Sequence, residues 1–102
     1  MHSYNLLKEL AAPLFQRSGQ QEIEEALGPD VFGSAYSVFA NDRVKARLVW
    51  DGKDGWGFAQ ISTGNDDWED IPCFLTEADL ESVPRNEAKI EQFLALLQDA
   101  VA

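Results

Sequence analysis

Apolar residues recur every third or fourth position near both ends of this chain and every second position through its middle. Over residues 3–16, Leu7, Leu10, Leu14 and Phe15 fall at helical spacing, with Ser3 placed as an N-cap. Pro13 interrupts that run, so the helix either kinks there or ends near Ala12. Ser18 and Gln21 have the spacing of a capping box and predict a short second helix carrying Ile23, Ala26 and Leu27, stopped by Gly28-Pro29. From Val31 the period changes to two: Phe32, Ser34, Tyr36 and Val38 alternate with their neighbours, and Asn41-Asp42 supplies a turn.

Residues 43–50 make the clearest strand. Val44, Ala46, Leu48 and Trp50 share one face, while Arg43, Lys45 and Arg47 share the other. The Asp51-Gly52-Lys53-Asp54-Gly55 stretch closes a hairpin, after which Trp56 and Phe58 are expected to rejoin the buried face beside Trp50 and Leu48. A second turn over residues 64–67 leads to a last strand, residues 68–75, which Pro72 places at a sheet edge. Thr76 and Asp79 form another capping-box pair, Pro84 breaks the short helix that follows, and Asn86 caps a final helix. There Ile90, Phe93, Leu94, Leu97 and Val101 repeat along one stripe. The pattern predicts a single α+β domain: an antiparallel meander of about four strands, with N-terminal helices and a C-terminal amphipathic helix packed on it.

Composition narrows the function more than the fold. The 102 residues include 18 acids and eight bases, a net charge of -10. Phosphate binding needs clustered Lys and Arg, so this balance argues against a nucleic-acid ligand, and equally against an anionic membrane surface. It permits a basic protein partner. A lone cysteine, Cys73, makes no internal disulfide and fits a reducing compartment. With no signal-like N-terminus and no stretch long enough to span a bilayer, a cytoplasmic location is expected.

Candidate chemistry is sparse. The one histidine, His2, sits where chains fray, so a nucleophile has no evident base, and Cys73 reads as a buried structural thiol. The acids of the two turns, Asp51 with Asp54 and Asp66 with Asp67, Glu69 and Asp70, do not follow the EF-hand spacing. Turn chemistry accounts for them equally well. Gly52, Gly55 and Gly57 lie in and after a hairpin, not between a strand and a helix as a phosphate loop requires. No enzyme, cofactor or metal is indicated.

Charge is unevenly distributed. Residues 63–102 hold two bases and ten acids, and Asp66, Asp67, Glu69, Asp70, Glu77, Asp79 and Glu81 lie together with Trp68 and no base. Two explanations compete: a solvated edge whose acids discourage sheet-to-sheet association, or a docking surface with Trp68 as its aromatic anchor. In size, acidity and architecture the chain is similar to bacterial immunity proteins, small cytosolic α+β domains that neutralise a cognate toxin, often a nuclease. The resemblance implies occlusion of the toxin's site by the acidic patch. The alternatives are a chaperone for a secreted effector, an accessory or regulatory subunit, and a DNA mimic, whose acids would be spread along one face.

Overall fold

Strand β3 (Lys45–Asp51) is the centre of the structure, and its burial alternates residue by residue as the sequence pattern requires. In the computed structural model, which describes residues 2–28, 33–64 and 67–102, β3 is flanked by β2 (Ala35–Ala40) and β4 (Trp56–Ser62). Beyond β2 lies β1 (Gln21–Leu27), and the far side of β4 pairs with two short strands, β5 (Glu69–Asp70) and β6 (Leu75–Thr76). Every pairing is antiparallel. Helices α1 (His2–Arg17), α2 (Glu77–Glu81) and α3 (Glu87–Val101) complete the chain.

Partners directly opposite in a ladder share a face. Ala35, Ser37 and Phe39 therefore lie with Trp50, Leu48 and Ala46, which lie with Gly57, Ala59 and Ile61. The helices cover this face. Tyr4, Leu7, Ala11, Leu14 and Phe15 of α1 and Ile90, Phe93, Leu97 and Val101 of α3 join Ala46, Leu48, Trp50 and Ala59 in one core. Each large apolar side chain buried there contributes roughly 1.5–3 kcal/mol of transfer free energy. The molecule measures 20 Å along its shortest axis, enough for one helix layer on one sheet and too little for three layers.

Several local readings hold in detail. Thr76 and Asp79 form a reciprocal capping box at α2, and Asn86 caps α3 by accepting from the Lys89 N–H. Pro13 stays within α1, which runs on to Arg17. Asn41 Oδ1 accepts from the N–H groups of Arg43 and Val44, fixing the β2–β3 turn.

Three readings are corrected. The short second helix is strand β1. Gly19, at φ 68°, ends α1 in a Schellman motif, the Gln20 N–H bonding the Phe15 carbonyl and the Gly19 N–H that of Gln16. What resembled a capping box at Ser18 is thus the close of the first helix, and Gln21–Leu27 pairs with β2 instead. Ser3 is no N-cap; it lies inside α1, where its hydroxyl donates to the Glu81 carboxylate. Residues 68–75 make two two-residue strands rather than one, parted around Pro72, whose missing N–H cannot join a ladder.

The third strand register also differs from expectation. Gly57, not Trp56 or Phe58, stands opposite Trp50, so Trp56 and Phe58 point away from the helices. A side chain at Gly57 has no room: an added Cβ would lie 2.8 Å from Trp50 Cε3 and 3.0 Å from Leu7 Cδ2. Small residues at Gly57 and Ala59 admit the bulk of Trp50 and Leu48, and a one-residue register choice sends the aromatics to the other face.

Candidate functional site

That second face carries no helix among the described residues. By the same alternation it presents Tyr36 from β2, Arg47 and Val49 from β3, and Trp56, Phe58 and Gln60 from β4, while Val38 of β2 points the same way but is buried. Phe74, between β5 and β6, stacks on Phe58 with ring centroids 4.7 Å apart and meets Trp56 edge-on at 5.6 Å. These rings are only partly covered, and Trp56 retains 39% of its exposure. An apolar depression at one end of the face is lined by Ala26, Tyr36, Val49 and Lys53 among others.

Arg47 organises the centre. Its guanidinium carbon lies 4.2 Å from the Trp68 ring centroid and 5.6 Å from that of Tyr36, in cation–π range of both. Its Nε donates to Gln60 Oε1 at 2.7 Å, and Gln60 Nε2 donates to Asp70 Oδ1 at 2.8 Å. This chain of contacts ties β3, β4 and β5 together and fixes the plane of the guanidinium. Its terminal Nη groups have no hydrogen-bond acceptor among the described residues.

The two flanks of the sheet are acidic. On one side β1 bears Glu22, Glu24 and Glu25, with the Tyr36 hydroxyl donating to Glu24. Lys8 Nζ lies 2.8 Å from both Glu22 and Glu25. Burial lowers the Lys8 pKa, but the two carboxylates outweigh it and leave the amine above its ordinary range. Lys8, followed by the Tyr4 hydroxyl, holds Glu25 below the usual carboxylate range. Tyr4 donates to Glu25 at 2.7 Å and pairs with the buried Ser37 hydroxyl, stapling α1 to the first two strands. Burial, with Glu25 beside it, pushes the Tyr4 phenol up to about 12. A bulge between Glu22 and Glu24 disrupts the outer strand at Ile23, which together with these acids blunts an exposed edge.

The acids expected to form one patch are divided. Asp66 lies outside the described residues. Asp67, Glu69 and Asp70 are exposed along the β4 margin, Glu69 opposite Ile61 and Asp70 opposite Gln60. Glu77 follows Thr76, which pairs with Trp56 four residues further along β4, roughly 13 Å away at strand rise. Asp79 is committed internally: it accepts from the Thr76 N–H, from Asn86 Nδ2 and from Lys89 Nζ at 2.9 Å. Burial raises its pKa, yet these donors prevail and keep the carboxyl far below its ordinary value. Glu81 accepts from Ser3, and His2 Nε2 stands 3.9 Å from it. Trp68 is half-buried on Arg47, so it belongs to the aromatic face rather than to the core.

Other candidate groups have structural duties. Asp51 Oδ1 accepts from the N–H groups of Lys53 and Asp54 in the hairpin turn. Cys73 is buried against α3, its thiol pointing to the Lys89 carbonyl, and burial raises its pKa. Among the described residues no group of three or more His, Cys, Asp or Glu is arranged to hold a metal, and no helix is long and apolar enough to cross a membrane.

The fold and this surface define a two-layer α+β domain with one sheet face left open. Comparison with protein-family models, curated proteins and solved structures finds no match for the chain.

Proposed function

We propose that this chain is a small acidic protein-binding domain that acts in the cytoplasm as an inhibitor of the bacterial immunity type, neutralising a cognate toxin by occluding its site. The observation that carries this reading is the solvent-facing carboxylate row Asp67, Glu69 and Asp70 on the margin of the open sheet face, in a chain of net charge -10. Such a row steers a basic protein, a nuclease with a cationic groove being one example, and raises its association rate. Glu77 adds charge at the other end of the sheet, while Asp79 and Glu81 support the α1–α2–α3 junction.

The test is the triple reversal Asp67→Lys, Glu69→Lys, Asp70→Lys, measured as association kinetics with the partner recovered by low-salt pull-down. Association slows about tenfold or more and loses most of its salt dependence, with the fold intact. Unchanged kinetics would remove the acidic margin from the mechanism.

A second reading, a chaperone for a secreted effector, is favoured by the open aromatic face, because such proteins grip apolar segments. In that case affinity depends on Trp56, Phe58 and Phe74 and changes little with salt.

A further inference from the structure

We infer that the open sheet face is the docking surface itself, with Arg47 as its anchor and a basic protein as its occupant; this rests on the protein-binding reading above. The face combines the residue types that dominate binding energy at interfaces, Arg, Trp and Tyr, around one pre-oriented guanidinium. Arg47 is held by stacking on two rings and by Gln60, so little side-chain entropy remains to be lost when its Nη edge meets an acceptor.

Charge selects the occupant. Carboxylates stand at both margins of the aromatic centre, Glu24 on β1 and Asp67 and Asp70 beside and within β5, whereas Glu22 and Glu25 turn to Lys8 on the helix side. A second copy laid face to face would bring together two bodies of charge -10. A cationic surface with an apolar centre meets the same pattern favourably: its bases face the flanks, and an oxygen acceptor near its middle reaches Arg47.

The experiment places the photo-crosslinker p-benzoylphenylalanine at Trp56 on the open face, or at Ala95 on the outer side of α3, in the full chain. Each protein is irradiated in lysate of the source organism. The expected result is a salt-sensitive adduct from position 56 and none from position 95, whose captured chain proves basic by mass spectrometry. Arg47→Ala in the same background lowers the adduct yield at least tenfold, with circular dichroism confirming the fold. Arg47→Lys, which keeps the charge without the planar fork, also lowers it.

Several outcomes overturn the inference. An adduct from position 95 alone moves the docking surface to the helix side and leaves the protein-binding reading standing. An adduct of twice the chain mass makes the occupant a second copy. Equal adducts from both positions, or a yield indifferent to Arg47, deny the face its specificity. No adduct at either position removes the protein-binding reading together with the inference.

Discussion

Gly57→Ala isolates the choice that put the aromatics on the open face. In a strand interior an alanine is ordinarily better than glycine by roughly 0.5–1 kcal/mol, because less backbone entropy is lost on folding. At position 57 the new methyl would stand 2.8 Å from Trp50 Cε3, 3.2 Å from Trp50 Cζ3 and 3.0 Å from Leu7 Cδ2. Trp50 and Leu7 are both buried in the core, so neither can swing into solvent. Overpacking of this kind costs about 1–3 kcal/mol, which outweighs the entropic gain and leaves a net loss of about 1–2 kcal/mol. For a domain of this size the loss lowers Tm by about 5–10 °C. Thermal and urea unfolding followed by circular dichroism measure it directly. In a Trp50→Leu background the same substitution should be close to neutral, so the double-mutant cycle returns a coupling of about 1 kcal/mol or more. A stabilised Gly57→Ala protein, or additive effects in the cycle, would refute the close approach and with it the register of β4.

Asp79→Ala removes the capping-box acceptor together with the contacts to Asn86 and Lys89, and costs about 1–2 kcal/mol in urea unfolding at pH 7. Because the folded Asp79 pKa is depressed, its stabilisation is present above the unfolded value near 4 and is lost as pH falls below it; the variant shows a shallower acid decline. Tyr4→Phe leaves the buried Ser37 hydroxyl without its phenol partner and costs about 1–2 kcal/mol at neutral pH. The raised Tyr4 pKa gives the opposite sign: its contribution is complete below pH 10 and is lost as pH rises toward about 12, so unfolding curves between pH 9 and 11 decline more steeply for the wild-type chain than for Tyr4→Phe.

Much of the architecture was legible from local signals. The alternation in β3, the stripe on α3, and the caps at Thr76 and Asn86 are each readable within a dozen residues, since each depends on period or on a side chain reaching its own backbone. Gly19, beside Ser18, is an equally local helix-stop signal, since glycine takes the positive φ that closes α1. The open face left a subtler trace: glycine and alanine at 57 and 59, spaced to oppose Trp50 and Leu48 across a hairpin.

By itself, then, the chain determined its class, its central strand, its last helix and its acidity. Only the tertiary structure decided the rest. Gln21–Leu27 is rich in Glu, Ala and Leu, good helix formers, but seven residues cannot pay for helix nucleation alone; pairing with β2 and the contacts from Lys8 make it a strand. Space beneath Trp50 decided which residue of β4 turned inward, and so sent Trp56 and Phe58 to the open face. The acids contiguous in sequence were separated because Asp79 and Glu81 found donors on α1 and α3 while Asp67, Glu69 and Asp70 met water at the sheet margin. Local pattern records what a residue prefers; where its side chain is needed depends on which surfaces the fold brings against it.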